Sequence, residues 1–223
     1  MDLLAAQQDP AERIGVFAES LHAEESPALR ELERTALDNG IPIIRPHTRG
    51  LIQCILEMKA PERILEIGTA TGYSALVMYT YSPTSCRIVT IEREAERAAQ
   101  ARQNFERFGA DRIELLEGDA AQILPELTGT YDLIFLDAAK GQYIRFLPEL
   151  IRLLPPGGVL LTDNCLKEGE ILASKFAVTR RNRTIHKRMR EYLTAISSDE
   201  RLRTVLLETG DGAAISVRRR EKI

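Results

Sequence analysis

Two acidic residues and an amide follow two short apolar runs that are typical of strands. Asp137 follows the run LIFL, and Asp163 and Asn164 follow the run VLLT. Because the carboxyl ends of parallel strands meet at one edge of a sheet, we expect these side chains to converge. Carboxylate and amide oxygens suit Mg²⁺, Mn²⁺ or Ca²⁺. A single aspartate after a strand is also common as a helix cap, so it is the set of three that predicts a metal site.

A lysine follows the first of these aspartates at a spacing that keeps it near the same edge. Lys140 lies three residues after Asp137. Most lysines are solvated surface residues. A lysine that is partly desolvated beside a divalent cation loses proton affinity, however, and can then act as a general base. We therefore predict Lys140 and Asp137 as catalytic residues.

A glycine-containing loop follows an earlier apolar run, in the segment ILEIGTATGYSA. Gly68 and Gly72 allow close backbone approach of a nucleotide-like ligand, although such glycines can also serve a tight turn alone. Ala70 stands where a dinucleotide fingerprint needs glycine, which disfavours NAD. Glu92 follows Gly72 by 20 residues and ends a second run, the place from which a carboxylate binds ribose hydroxyls. Asp119, after a third run, can accept a hydrogen bond from an adenine amino group.

The elements that must position these residues alternate between short apolar runs and amphipathic segments. The pattern predicts strands at 63–67, 87–92, 113–117, 133–136 and 159–162, and helices at 73–80, 94–108, 120–127 and 143–154. The segments on either side of residues 209–212 are also predicted to be strands, which would form an antiparallel pair. This is the pattern of an α/β fold with a doubly wound, mostly parallel sheet of seven strands and ligands at its carboxyl edge.

The 223-residue length favours one domain, residues 1–223, with a helical N-terminal extension over residues 1–40. Within it, Ser26, Pro27 and Gly40 are start and stop signals of a helix. Another helix is predicted to end before Pro61. We expect the extension to form a dimer surface or a lid, and the protein to be a homodimer.

Composition narrows the class of protein. No run approaches the ~18 apolar residues of a membrane span, and the first residues lack signal-peptide order. The three cysteines, Cys54, Cys86 and Cys165, form no C-x-x-C pair. We predict a cytoplasmic protein in which all three are reduced and structural.

One basic segment interrupts an otherwise acidic chain. The formal net charge is −3, yet residues 179–190, TRRNRTIHKRMR, hold six Lys or Arg and no Asp or Glu. A charge run is usually a solvated helix face, but such faces generally mix signs. The segment therefore favours a nucleic-acid partner.

The motifs together resemble a known family. LEIGTATGYSA, Glu92 and the GDA of residues 118–120 resemble the S-adenosylmethionine (SAM) site of class I methyltransferases, and the LEIG-x-x-x-GYSA form is similar to the cation-dependent O-methyltransferases of the catechol and caffeoyl-CoA type. The resemblance spans about residues 40–218 and implies a Rossmann-like fold. It also implies metal ligands at Asp137, Asp163 and Asn164 and a catalytic Lys140. The SAM-binding residues that it implies are Ile44, Glu66, Gly68, Gly72, Ser74, Glu92, Gly118, Asp119, Ala120 and Asp137.

Such a site requires a substrate with two adjacent oxygens that chelate the metal, one of which attacks the methyl group. A catechol qualifies, and so does 5-hydroxyuridine. RRNRTIHKRMREYL followed by GDGAAIS resembles the bacterial tRNA 5-hydroxyuridine methyltransferases, which act on the wobble uridine of the anticodon stem-loop. The absence of tryptophan also predicts an open site. We therefore predict methylation of 5-hydroxyuridine in tRNA to 5-methoxyuridine. The candidate RNA contacts are Arg180, Arg181, Arg183 and Arg188.

Two alternatives stay open. The substrate can be a small catechol-like or caffeoyl-CoA-like metabolite, which turnover of simple catechols would reveal. The chain can also be a noncatalytic RNA-binding protein, in which replacing Lys140 by alanine changes nothing measurable.

Overall fold

The computed structural model describes residues 25–166, 183–208 and 211–220, together with residues 13, 17, 20 and 21. The α-helices within these ranges are α1 (Pro27–Asp38), α2 (Pro46–Lys59), α3 (Tyr73–Tyr81), α4 (Ala95–Arg107), α5 (Ala120–Glu126), α6 (Tyr143–Leu153) and α7 (Arg183–Ser198). The strands are β1 (Arg63–Ile67), β2 (Arg87–Glu92), β3 (Ile113–Glu117), β4 (Leu133–Leu136), β5 (Val159–Thr162), β6 (Leu202–Leu207) and β7 (Ala213–Arg218). A 3₁₀ turn, Lys140–Gln142, lies between β4 and α6.

The described strands form one sheet in the order β3-β2-β1-β4-β5-β7-β6. Strands β1 to β5 are parallel, whereas β7 runs antiparallel to both β5 and β6. The predicted doubly wound sheet and its antiparallel pair are confirmed. The chain reverses its direction of winding between β1 and β4, which opens a crevice at their carboxyl ends.

Local signals explain the N-terminal helices that precede the sheet. The Ser26 hydroxyl caps α1 by accepting from the Leu29 amide at 3.3 Å, and Pro27 occupies the first helical position. Gly40 has φ +65°, so the predicted stop is confirmed. Helix α2 ends at Lys59 and is followed by Ala60 in the left-handed region, immediately before Pro61. Most of the segment before residue 25 lies outside the described residues.

Helices cover both faces of the sheet. On one face Leu150 of α6 and Tyr192 of α7 are fully buried, and on the other Leu29, Ile52 and Leu76 fill the core. Each fully buried leucine stabilises the fold by about 1.5–3 kcal/mol relative to an exposed one. Burial on both faces is the reason why β4 consists only of apolar residues and why β1 and β5 are mostly apolar.

A buried ion cluster joins the N-terminal segment to the sheet domain. Arg49 of α2 contacts Glu25 at 3.1 Å and Glu33 at 3.0 Å, and it donates to the Tyr73 hydroxyl at 2.9 Å. Burial raises the pKa of Tyr73 to about 12, so its hydroxyl stays protonated. Removing one partner of such a buried pair typically costs about 3–5 kcal/mol. The cluster therefore fixes α1 and α2 against the start of α3.

Two further expectations concern the cysteines and the membrane. Cys86 and Cys165 are buried free thiols, as predicted for structural residues. Cys54 is also a free thiol, but it is exposed on α2, so the prediction of a structural role is wrong for this residue. In the part of the chain that the structure describes, no helix combines the length and apolar character needed to cross a membrane. The homodimer stays a prediction.

Candidate active site

A cleft of about 940 Å³ opens at the carboxyl edge of the sheet, where the winding reverses. Its floor contains the residues at the ends of the first five strands. Residues 42–45 and Thr48, from the start of α2 and the segment before it, form one side. The cleft therefore lies where open α/β sheets bind their ligands.

Gly68, in the loop after β1, brings two strand ends into direct contact. Its φ is +93°, and a Cβ atom there would lie 2.2 Å from the backbone carbonyl oxygen of Asp137. No side chain fits that space. Gly72 also has a positive φ, +89°, and a Cβ there would lie 2.6 Å from the ring of Phe105. The loop thus needs both glycines, one for the approach of β1 to β4 and the other for the packing of α4.

Glu66 supports this loop from behind the cleft wall. The residue is fully buried, and its carboxylate accepts hydrogen bonds from the hydroxyls of Ser74 and Thr90. Burial raises the pKa of Glu66, whereas the hydroxyl donors lower it. Glu66 therefore holds Ser74 in place at the start of α3, where Ser74 lines the cleft.

Glu92, at the end of β2, presents a carboxylate whose orientation is set by the backbone. One oxygen accepts from the Ala70 amide, and the other accepts from the amides of Arg93 and Glu94, each at 2.9 Å. These three N–H donors fix the orientation of the carboxylate. A carboxylate held in this way can still accept hydroxyl groups, such as those of a ribose, with its free lone pairs.

Asp119 occupies the corresponding position after β3. Its carboxylate caps α5 by accepting from the Ala121 amide at 2.8 Å. Gly118, Asp119 and Ala120 all line the cleft beside Glu92. This end of the cleft therefore offers fixed carboxylates and small residues, which suit a nucleoside.

The oxygen cluster of Asp137, Asp163 and Asn164 lies at the ends of β4 and β5. The Asp163 carboxylate accepts from the backbone N–H of Asn164 at 2.8 Å and from the Thr48 hydroxyl at 3.1 Å. The Asn164 side-chain amide lies 3.3 Å from the Asp137 carboxylate. Asn164 has φ +57°, a conformation that asparagine tolerates. The three predicted ligands therefore converge.

The two carboxylates of this cluster carry more negative charge than their surroundings neutralise. Burial, together with the charges of Asp163 and Glu66, raises the pKa of Asp137 to about 7. Burial also raises the pKa of Asp163. Two neighbouring, desolvated carboxylates with an amide oxygen beside them fit a hard divalent cation. The described residues contain no cluster of three His, Cys, Asp or Glu side chains placed for a metal, so a cation here would depend on two carboxylates and the amide oxygen of Asn164.

Lys140 begins the 3₁₀ turn that follows β4. Its ammonium group is close enough to lower the pKa of both Asp137 and Asp163. Two contacts hold this turn: the Tyr143 hydroxyl bonds both backbone groups of Ala138, and Arg188 donates to the carbonyl of Gly141. Lys140 is therefore carried on a turn that is fixed at both ends.

The structure brings most of the predicted residues to one cleft. Those that line it are Ile44, Gly68, Ser74, Glu92, Gly118, Asp119, Ala120, Asp137, Asp163 and Asn164. Glu66 and Gly72 lie behind its wall. The candidate RNA contacts differ in exposure: Arg183 is exposed, but Arg188 is half-buried and donates a hydrogen bond to the protein's own backbone. Arg180 and Arg181 lie outside the described residues.

Sequence reasoning missed several residues at the rim. Arg45 and Asp211 form an ion pair at 3.1 Å, and both line the cleft. Thr48 orients Asp163 from across the cleft. The GDG at residues 210–212 was a signal for Asp211, whereas nothing in the local sequence pointed to Arg45 or Thr48.

Comparison with known proteins assigns the family. Residues 19–220 match the O-methyltransferase family. The chain is 33% identical over 171 residues to the catechol O-methyltransferase of Mycobacterium tuberculosis, covering 75% of this chain and 78% of that one. It is 30% identical over 168 residues to the catechol O-methyltransferase of Niastella koreensis, covering 72% and 76%. A methyltransferase from Podospora anserina, solved with S-adenosylhomocysteine, superimposes with a TM-score of 0.84 at 27% identity, covering 96% of this chain and 97% of that one. This protein belongs to the O-methyltransferase family.

Proposed function

We propose that the protein transfers a methyl group from SAM to one hydroxyl of a small catechol-like substrate, with a divalent cation such as Mg²⁺ at the oxygen cluster. The observation that carries this proposal is the juxtaposition of the two halves of the cleft. The backbone of Gly68 packs on that of Asp137, so the nucleoside end and the oxygen cluster adjoin. The similarity to two catechol O-methyltransferases supports the substrate class.

SAM would occupy the side of the cleft formed by β1, β2 and β3. Gly68 and Ser74, held by Glu66 from behind, suit its methionine end. The Glu92 carboxylate, fixed by three amides, would accept the ribose hydroxyls. Asp119 and Ala120 would border the adenine, and buried Ile44 would contribute an apolar contact.

The substrate would lie above β4 and β5. Asp137, Asp163 and Asn164 would hold the cation, whose chemistry is to bind two vicinal oxygens and lower the pKa of the attacking hydroxyl. In its neutral form Lys140 would accept the hydroxyl proton. Its turn places it near both aspartates. The rigid floor of the cleft then holds the oxygen towards the methyl donor, which is the orientation that methyl transfer requires.

A second candidate substrate is 5-hydroxyuridine in tRNA. One observation favours it: Arg183 is exposed at the start of the described part of the basic segment, where it can meet a phosphate backbone. Arg180 and Arg181 would add to this contact. The same cation and lysine would serve, since the 5-hydroxyl of this base adjoins the C4 carbonyl oxygen.

The decisive experiment offers both substrates to the purified protein with SAM and Mg²⁺, with EDTA in a parallel reaction. Products are measured by mass spectrometry of the catechol and of nucleosides from hypomodified tRNA. Methylated catechol that disappears in EDTA is the expected result. Methylation of tRNA alone would establish the second candidate, and charge reversal at Arg183 should then weaken it.

Lys140→Ala separates catalysis from binding in the same assay. We expect turnover to fall about 10²–10⁴-fold, while SAM binding measured by calorimetry persists. Unchanged turnover would remove Lys140 from the mechanism.

A further inference from the structure

One arginine of the basic segment faces the protein rather than the solvent. The Arg188 guanidinium, on α7, donates to the carbonyl oxygen of Gly141 at 3.1 Å. Gly141 is the middle residue of the 3₁₀ turn that begins with Lys140. The hydrogen bond therefore joins α7 to the backbone of the residue that follows Lys140.

The turn lies directly on α7. A Cβ atom added at Gly141 would be 3.7 Å from the Arg188 guanidinium and 3.9 Å from the Ile185 side chain. The turn's own backbone bond, from the Gln142 amide to the Ala139 carbonyl at 2.8 Å, is local and does not fix the turn against the sheet. Arg188 supplies a charged, long-range bond that fixes the turn against α7.

The same helix also holds the other end of the loop. Tyr143, whose hydroxyl bonds both backbone groups of Ala138, packs edge-on against Tyr192 of α7, with ring centroids 5.5 Å apart. The Tyr192 hydroxyl in turn lies 2.6 Å from that of Thr162, at the end of β5. Both tyrosines are fully buried. Helix α7 is thus attached to the loop on each side of Lys140.

We propose that Arg188 is a positioning residue for Lys140: its bond to the Gly141 carbonyl holds the turn in the orientation that keeps the lysine near Asp137 and Asp163. The proposal rests on the catalytic role of Lys140 in the proposed function. Arg188 contributes to turnover through the backbone of the turn, and it is not reserved for a nucleic-acid phosphate.

The test compares Arg188→Met with Lys187→Met. Methionine keeps an apolar stem but removes every donor. Lys187 is the matched control, because it is on the same helix and its side chain is 78% exposed. Arg188→Lys keeps a cationic donor and should restore part of the effect. Two readouts are used: amide hydrogen exchange of peptides covering residues 138–145 in the free protein, and steady-state kinetics with whichever substrate the wild type methylates.

For Arg188→Met we expect faster exchange in residues 138–145 and a fall in kcat of about 10- to 100-fold. The KM for SAM should change by less than about twofold, because the loss affects only the lysine turn. Lys187→Met should match the wild type in amide exchange and in kcat. Arg188→Lys should give intermediate values.

Several results would overturn the proposal. They are unchanged exchange in Arg188→Met, faster exchange with unchanged kcat, an equal effect of Lys187→Met, and a rise in the KM for tRNA alone, which would indicate an RNA contact. If the wild type methylates neither substrate, the proposed function fails while the exchange data still decide whether Arg188 holds the turn. If exchange in Arg188→Met rises throughout the chain, Arg188→Gln is judged by the same criteria.

Discussion

The two ends of the cleft hold their carboxylates in opposite ways. Glu92, at the nucleoside end, accepts three backbone N–H groups, which fix its carboxylate without any ligand. Asp137, at the other end, is half-buried beside the buried Asp163, and its pKa is raised to about 7. The carboxylate at the first end finds its hydrogen-bond donors within the protein. The two carboxylates at the second end carry negative charge that a cation would offset. A carboxylate satisfied by backbone donors suits the recognition of hydroxyls, and an unsatisfied pair suits a metal.

The largest effect should come from removing the charge of Asp137, at the oxygen-cluster end of the cleft. In Asp137→Asn we expect kcat/KM to fall by about 10³-fold or more, since a metal contributes several kcal/mol to the transition state. Calorimetry should show that SAM binding is weakened much less. EDTA treatment of the wild type is the matched control and should reproduce both results. Equal losses of turnover and SAM affinity would show that the two ends do not act separately.

The next effect tests the contact between the two ends. Gly68→Ala places a Cβ atom 2.2 Å from the Asp137 carbonyl oxygen and should lower the free energy of unfolding by about 3 kcal/mol or more. Gly109→Ala is the control, because Gly109 also has a positive φ but nothing lies within 4 Å of its added Cβ. Its cost should be about 1 kcal/mol. Similar costs in urea denaturation would mean that backbone strain alone, rather than the contact with β4, requires Gly68.

A pair of neutralising substitutions should move stability in opposite directions. With EDTA present, Glu92→Gln should lose about 1–2 kcal/mol, because an amide nitrogen cannot accept from the Ala70 N–H. Asp137→Asn should gain about 1–2 kcal/mol, because it removes a buried charge that Asp163 repels. Thermal denaturation at neutral pH measures both. Changes of the same sign would contradict the contrast between the two ends.

The smallest effect concerns the residue that orients Asp163. Thr48→Val removes a hydrogen bond of 3.1 Å and should weaken Mg²⁺ activation roughly tenfold. Thr48→Ser keeps the hydroxyl and should resemble the wild type. The measurement is the Mg²⁺ concentration that gives half-maximal turnover. If both variants behave alike, the Thr48 methyl group matters rather than its hydroxyl.

Much of the nucleoside end was predictable from sequence because its features are local. The first five strands have the predicted bounds, since each contains a short apolar run bounded by polar or turn residues. Gly68 and Gly72 stand where the backbone adopts positive φ, which few other residues tolerate. The order of the elements also implied the edge at which Asp137 and Asp163 converge, because parallel strands end on the same side.

The contacts that finish the site were not predictable, because they join distant parts of the chain. Thr48 and Asp163 are 115 residues apart, and Arg188 and Gly141 are 47 apart. The ion cluster around Arg49 likewise joins residues of three separate segments. No periodicity or motif encodes such pairs, since each depends on how helices pack against the sheet.

The sequence by itself determined the alternation of strands and helices, the glycine loop and the acidic residues at the strand ends, because backbone conformation and apolar patterning act over a few residues. Only the tertiary structure decided which of these groups are satisfied. It gave Glu92 three amide donors, left Asp137 and Asp163 with excess charge, and turned Arg188 towards a backbone carbonyl. The physical reason is that burial and the identity of a charged group's neighbours, which decide its energy, arise only when distant elements pack together.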